Sequence, residues 1–265
     1  MVDPEKLREE YIRLLGQEGR EQVYQAFLEQ NTRLIPREFV QNHGIGCSIV
    51  LRKLAFGPDY KSDFFYFSKS SDDWNAVFIE LEKPQSRFFK KNTNEFHGDF
   101  ISALEQINQW RAWFDRGNQN AFLSTVSAIQ VPHHMAASNP TFNKFVLVFG
   151  RRSEYSGNEI RRSLIRGQER DDFKIITFDS LVEDLEHKHE VAIGVRHNEY
   201  IDIITDEIIS ASLYSWVEPT RLRVSKCLYD KLANGPTSNH YVMSDNGPVD
   251  ALKHAALRVR IRPIE

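Results

Sequence analysis

Three carboxylates, Asp63, Glu80 and Glu82, accompany two apolar runs that are separated by the polar segment SKSSDD. Two apolar runs around a polar turn are typical of a β-hairpin. With the turn centred between Ser71 and Asp72, Asp63 lies opposite Glu80 on the same face of the antiparallel pair. Side chains alternate along a strand, so Glu82 lies on that face too, and the intervening apolar residues face the other way. Acids this close need a neutralising partner, usually a divalent cation, so the spacing predicts a metal site at the open end of the hairpin.

A helix after the hairpin carries a polar side chain that suits the same site. Residues 100–114 have the periodicity of an amphipathic helix, and Gln106 and Trp110 lie four residues apart on one side of it. A glutamine on a helix that packs beside an acidic sheet edge can position a phosphate or a metal-bound water. The alternative interpretation is an ordinary polar residue on the helix surface.

A basic segment follows the hairpin directly. The run KPQSRFFKK contains four cations and no acid. Aromatic residues inside a basic run indicate a surface that follows a nucleic-acid backbone and stacks on bases. A solvated loop is the alternative. The four cations are Lys83, Arg87, Lys90 and Lys91.

A second group of cations follows the apolar run FVLVFG. Arg151 and Arg152 come directly after it, and the predicted helix 158–167 carries Arg161, Arg162 and Arg166. Guanidinium groups at a strand exit and on a neighbouring helix are suited to phosphate contacts. Five acids are interleaved with these arginines, so ordinary surface ion pairing is the alternative interpretation.

The order of the predicted elements indicates an α/β fold. Apolar periodicity predicts helices over 3–15 and 19–30, and Gly57–Pro58 turns the chain from a short strand into the hairpin. Two buried strands, 145–150 and 173–178, alternate with helices 158–167 and 180–187, the last capped by Asp179 or Ser180, as in parallel α/β units. Residues 1–190 therefore form the main predicted domain. Residues 191–265 are a smaller C-terminal subdomain, or strands added to the main sheet, without a chemical motif.

Composition narrows the class of protein. The chain has 265 residues, of which 41% are hydrophobic and 27% charged, with a net charge of −3, so nucleic-acid contacts must come from local patches. No apolar run is long enough to span a membrane, and the N-terminus lacks a signal-peptide core. Two distant cysteines, Cys47 and Cys227, argue against a disulfide framework, so we expect a cytoplasmic protein. The histidine pairs 133/134 and 187/189 lack a second cluster with metal-ligand spacing, and P-loop, GxSxG and HExxH motifs are absent.

Asp63, the ELE run at 80–82 and a helix with Gln106 together resemble the core of PD-(D/E)xK nucleases. More specifically, several strings in their order and spacing resemble the Shedu family of anti-phage defence proteins, over residues 20–185. These strings are FLEQN (27–31), the Asp63 strand, IELEKP (79–84), ALEQINQW (103–110), VFGRR (148–152) and ITFDSL (176–181).

The resemblance implies a mixed central sheet flanked by helices and a metal-dependent DNA endonuclease. Mg²⁺ or Mn²⁺ would be held by Asp63 and Glu80, with Glu21 as a further acid from the first helices. Gln106 would support the phosphate or the attacking water. Arg151 and Arg152 match the family's Gly-Arg-Arg and would contact DNA or brace the fold. The family also implies a homo-oligomer and phage double-stranded DNA as partner.

One position departs from the pattern of the superfamily. A lysine is expected two residues after the strand acid, where this chain has Glu82, while Lys83 lies one position later and on the opposite face of a regular strand. Glu82 acts in place of the lysine, or Lys83 turns inward at a bulge, or another basic residue enters the site, or catalysis is lost. A carboxylate can orient or deprotonate water near a metal. Three functions therefore remain open: a nuclease, a nuclease-like module that binds DNA or DNA ends without cutting, and a structural oligomer.

Overall fold

The computed structural model describes residues 3–130, 139–205, 219–234, 243–244, 247–248 and 262–264. His133 and His134 lie outside the described residues, as do most of the segments predicted as short strands and helices after residue 206.

Helices and strands alternate as the sequence predicts for an α/β protein. The helices are α1 (Pro4–Leu15), α2 (Glu21–Gln30), α3 (Gly98–Trp113), α4 (Gln119–Val126), α5 (Glu159–Arg166) and α6 (Lys226–Asn234). The strands are β1 (Ile49–Phe56), β2 (Tyr60–Lys69), β3 (Trp74–Leu81), β4 (Thr141–Val148), β5 (Phe173–Ile176), β6 (Ala192–His197), β7 (Tyr200–Ile203), β8 (Leu222–Val224), β9 (Met243–Ser244), β10 (Gly247–Pro248) and β11 (Arg262–Pro263).

Within the described residues, nine strands form one mixed sheet in the order β11-β8-β7-β6-β1-β2-β3-β4-β5. β1, β2 and β3 are antiparallel neighbours, whereas β4 and β5 run parallel to β3. Helices cover both faces of the sheet. This arrangement confirms the predicted mixed α/β fold and is consistent with a PD-(D/E)xK-like core.

The hairpin of β2 and β3 has the predicted register. Phe64 pairs with Ile79 and Lys69 with Trp74, so continuation of the ladder by one residue places Asp63 opposite Glu80. The alternation is also as predicted, with two separate cores on the two faces of the sheet. The face away from the acids is formed by Phe64, Tyr66, Val77, Ile79 and Leu81.

Each face of the sheet is covered by its own helices. On one face, α3 and α4 pack aromatic side chains against Phe78 of β3, among them Trp110 and Phe122, all of which are buried. On the other face, α1 and α2 contribute Tyr11 and Tyr24 to a second buried cluster. Burial of large aromatic surfaces stabilises both layers and fixes α3 beside β3. The acids of β2 and β3 are therefore positioned by a rigid part of the molecule.

The predicted helix over 180–187 is wrong. The structure has two short 3₁₀ turns instead, Phe178–Val182 and Leu185–His187, separated by Asp184 with a left-handed φ of 56°. Asp179 does not cap a helix, because its carboxylate accepts hydrogen bonds from the Arg151 side chain and the Arg152 backbone N–H. A tertiary contact thus removes the cap on which the prediction rested.

Strands after residue 190 extend the same sheet. β6 pairs in parallel with β1. β7 then pairs with β6, β8 pairs with β7, and β11 pairs with β8. The division into domains at residue 190 stays a prediction. No helix among the described residues combines the length and the apolar character that a bilayer crossing requires.

Candidate metal and catalytic site

Asp63 lies near the start of β2 with only 3% of its surface exposed. Its Oδ2 atom accepts a hydrogen bond from the backbone N–H of Leu81 at 2.7 Å, just beyond the last backbone pair of the hairpin. Its Oδ1 atom forms an ion pair with the Lys53 ammonium. The carboxylate is thus fixed from two strands, β1 and β3, in one orientation.

Glu80 lies one position before the end of β3 and is half-buried. Its Oε1 atom accepts a hydrogen bond from Nε2 of Gln106 on α3 at 2.6 Å. Its Oε2 atom is buried and has no hydrogen-bond partner among the described residues. Buried polar atoms normally have a partner, so this oxygen is a strong candidate ligand atom for a bound group. The structure therefore places Gln106 beside Glu80, where it orients the carboxylate.

Lys53 on β1 belongs to the site although its sequence neighbourhood gives no indication of this. Its Nζ atom contacts Asp63 and lies 3.4 Å from Oε1 of Glu21. Lys53 lies between two paired positions of β1, since Arg52 pairs with Phe64 and Leu54 with Ser62. The register of β1 against β2 is the signal that would have identified it, because that register places Lys53 opposite Asp63.

The carboxylates bind their protons more tightly than free carboxylates do. Burial raises the pKa of Glu80 well above its usual range, and the nearby Asp63 charge raises it further. Burial also raises the pKa of Asp63, although the hydrogen bond and charge of Lys53 oppose this effect. The pKa of Glu82 is raised by burial and then by Glu21. Burial is the largest cause of each pKa shift and neighbouring acids add to it, and a nearby cation would oppose both effects.

Glu82 and Lys83 occupy different environments after β3. Glu82 is half-buried, its backbone N–H donates to the Val148 carbonyl at 2.9 Å, and its Oε2 accepts from Ser86 Oγ at 3.5 Å. Lys83 is exposed. Among the described residues, Lys53 forms a salt bridge to Asp63, whereas Lys83 forms no salt bridge to any acid of the site. An inward turn of Lys83 is therefore not observed.

The two carboxylates suit an ion such as Mg²⁺, which needs few protein ligands, better than an ion that needs many protein ligands. No group of three Asp, Glu, His or Cys side chains within the described ranges is arranged to hold a metal ion. Mg²⁺, however, is commonly bound by one or two carboxylates while substrate and water supply the remaining oxygens. Asp63 and the unpaired Oε2 of Glu80 provide such a pair of hard oxygen donors.

Glu80→Gln is expected to raise the melting temperature in metal-free buffer by about 2–6 °C at pH 8. The folded-state pKa of Glu80 is raised, so ionisation penalises the folded state, and the penalty grows as pH rises above the unfolded-state value of about 4.3. The gain should therefore disappear near pH 4. Thermal melts in EDTA across this pH range measure it. Glu105→Gln, at an exposed position of α3, is the control, and equal melting temperatures of the two variants at pH 8 would contradict the assignment.

The aromatic residues of the basic segment are not available for stacking on bases. Phe88 and Phe89 are 0% and 1% exposed and pack in the core beside α3, so the prediction of stacking is wrong. Gly150 explains why the segment lies so close to the sheet, since it has a φ of 55° and an added Cβ would lie 2.8 Å from the Ser86 carbonyl oxygen. The cations of the segment remain on the surface. Lys83, Arg87, Lys90 and Lys91 are all exposed.

The two arginines after β4 have different surroundings. Arg151 donates to Asp179 and, at 3.2 Å, to the Leu15 carbonyl, so it braces the end of β4 against α1. Arg152 is exposed and paired with Glu183. It also lines an open cleft of about 340 Å³ together with Tyr155, Arg162 and Arg166.

The acids and part of this arginine cleft lie at one edge of the sheet, which is formed by the carboxyl-terminal ends of β3 and β4. Glu80 pairs with Leu147 of β4, and Leu147 pairs with Ile175 of β5, so the carboxyl ends of these parallel strands are aligned. Adjacent strands are about 4.8 Å apart, and Arg152 and Tyr155 of the cleft follow the end of β4. A polyanion that contacts the acids can therefore reach the cleft.

The fold is that of a mixed α/β protein and is consistent with a PD-(D/E)xK-like core. The family model described as Shedu protein SduA, C-terminal, matches residues 18–182. This is more than half of the 265 residues, and the chain belongs to the Shedu family, with a nuclease-like anti-phage defence domain. A search of curated proteins gives no match. The family prediction made from the sequence strings is thereby confirmed.

Proposed function

We propose that this protein is a metal-dependent endonuclease that nicks DNA, with phage double-stranded DNA as its substrate. The observation that carries the proposal is the pair of acids at the end of the hairpin. Asp63 is buried, and Glu80 presents a buried Oε2 atom that has no partner in the described part of the chain. Family membership supports the nuclease class, and the charges along the same edge support a polyanionic substrate.

Asp63 and Glu80 are the proposed ligands of Mg²⁺ or Mn²⁺. The ion, when bound, polarises a phosphate oxygen and lowers the pKa of water, which is the chemistry of phosphodiester hydrolysis. Leu81 N–H fixes Asp63, and Gln106 fixes Glu80, so neither carboxylate needs to reorganise. Glu82 is the proposed group that takes a proton from the attacking water, because a carboxylate with a raised pKa is suited to that transfer. Glu21, in contact with Lys53, is a proposed additional acid near the ion.

The proposed DNA path crosses the basic segment and the arginine cleft. Lys83, Lys91 and Arg87 are exposed and form no salt bridge among the described residues, whereas Lys90 is paired with Glu95 at 2.8 Å. Cations of this kind bind the phosphate backbone without regard to sequence. We assign Arg152 to phosphate contact in the cleft and Arg151 mainly to bracing the fold.

Arg166→Ala is expected to weaken binding of a duplex about five- to tenfold at 0.1 M salt and to lower the salt slope by about one. Arg166 lines the cleft and has no ion-pair partner among the described residues, so its charge is available to a phosphate. Fluorescence anisotropy of a labelled duplex in EDTA measures both quantities. Lys6→Ala, on the exposed side of α1, is the charge-matched control. Equal salt slopes for the two variants would remove the cleft from the DNA path.

The test of the proposed function is conversion of supercoiled plasmid to open circles by the purified protein with Mg²⁺ or Mn²⁺. We expect nicking that requires the metal and stops in EDTA. Incubation without a metal and with Ca²⁺ provides the controls. Plasmid that stays supercoiled under every metal condition contradicts the proposed activity.

A second candidate is a module that binds DNA or DNA ends without cutting. The observation in its favour is Glu82, which stands where the superfamily pattern has a lysine. Salt-sensitive binding to plasmid without nicking, unchanged by Asp63→Ala, would establish this alternative. A homo-oligomer in the cytoplasm is part of the proposal for both functions, and sedimentation velocity tests the oligomer.

A further inference from the structure

We propose that Lys53 is a catalytic lysine of the acid site, which places a fixed positive charge beside Asp63 and the scissile phosphate. This inference rests on the proposed nuclease function and names a residue outside the predicted site. Its basis is the contact geometry of Lys53 and the backbone that presents it.

The first support is the set of contacts made by the ammonium. Nζ lies against Oδ1 of Asp63 and 3.4 Å from Oε1 of Glu21, so it bridges acids from β2 and α2. The Asp63 side chain is 4% exposed, whereas that of Lys53 is 38% exposed. The ammonium is therefore held by a buried acid, while part of the Lys53 side chain is open to solvent. Such a group can meet a phosphate without leaving the carboxylate.

The second support is the backbone of Lys53, which has a φ of 45° in the interior of β1. Residues other than glycine seldom adopt this conformation, and such strain persists where the surrounding structure imposes it, often at functional sites. Leu51 and Leu54 both pack in the same core, although a regular strand would direct them to opposite faces. The left-handed residue between them changes the alternation of β1 and directs Lys53 to the acids.

The third support is the balance of charge. Asp63, Glu80, Glu82 and Glu21 interact electrostatically, and Lys53 forms ion pairs with two of them, Asp63 and Glu21. An approaching phosphate adds further negative charge. A fixed ammonium lowers the energy of the charge that develops on the phosphate as the bond breaks. A lysine at position 82 is thus not required, because Lys53 on β1 supplies the positive charge.

The test uses the full chain and two variants, Lys53→Met and Lys53→Arg. Lys53→Met is expected to reduce the nicking rate by about 10²–10³-fold, as removal of one fixed electrostatic group does in other sites. Lys53→Arg should retain partial activity. Lys226→Met removes a lysine paired with Asp230 on α6 and is the matched control.

Calorimetric titration with Mn²⁺ provides a readout besides activity. Loss of the competing ammonium should tighten Mn²⁺ binding severalfold in Lys53→Met. Wild-type nicking by Lys53→Met, or Mn²⁺ affinity that is unchanged or weakened in that variant, would each overturn the inference. If the wild-type protein does not nick at all, the proposed function fails. The inference is then decided by Mn²⁺ alone, with tighter binding in Lys53→Met supporting it and unchanged or weaker binding overturning it.

Discussion

Asp63→Asn is expected to reduce metal-dependent nicking of supercoiled plasmid by at least about a thousandfold. A bound metal ion supplies several kcal/mol of transition-state stabilisation, and each 1.36 kcal/mol changes the rate about tenfold. Asparagine keeps the shape of Asp63 and can still accept the hydrogen bond from Leu81, but it has no charge to hold a cation. Gel quantification of open circles against time measures the rate.

The control for this experiment is Asp72→Asn, an exposed acid in the turn at the other end of the hairpin. It should nick at the wild-type rate. DNA binding in EDTA should change little in Asp63→Asn, since the exposed cations and not the buried acid hold the backbone. Nicking at an undiminished rate in Asp63→Asn would place the activity at another site or in a contaminating enzyme.

Phe78→Ala is expected to destabilise the protein by about 3–5 kcal/mol, against a typical total of about 5–15 kcal/mol. Phe78 is fully buried in β3, and its ring centroid lies 5.0 Å from that of Phe65 and 5.1 Å from those of Phe114 and Phe122. Truncation leaves a cavity between β3 and the helices beside it. Equilibrium unfolding in urea measures the change.

Phe142→Ala is the matched control for Phe78→Ala. Phe142 lies on β4 and is 48% exposed, so its truncation should cost less than about 0.5 kcal/mol. Similar losses in the two variants would contradict the assignment of Phe78 to the centre of the core. The comparison also separates a general loss of stability from a local effect at Glu80, which lies two residues from Phe78 on the same strand.

The hairpin was predictable from the sequence because two strands joined by a short turn have few possible registers. Once the turn is centred at Ser71 and Asp72, the opposition of Asp63 and Glu80 follows, and the structure has that register. The family was predictable from the order of short strings around these acids.

Other features depend on tertiary contacts that no local pattern reports. Lys53 was missed because the register of β1 and the left-handed backbone of a lysine cannot be read from residue type. The sequence around Phe88 and Phe89 is typical of a surface that stacks on bases, but both rings are buried beside α3. The helix predicted after Asp179 failed because two arginine contacts occupy its cap.

The parallel pairing of β6 with β1 has a consequence for dissecting the protein. The family match ends at residue 182, before β6 begins. A fragment cut at residue 190 would leave β1 as an unprotected border strand and remove Ala192 and Ile193 from the cores on either side of it. Unpaired strand borders recruit other chains and promote aggregation. The strand that presents Lys53 is therefore shielded by the C-terminal extension, and insolubility of a shortened protein would report the loss of that shield.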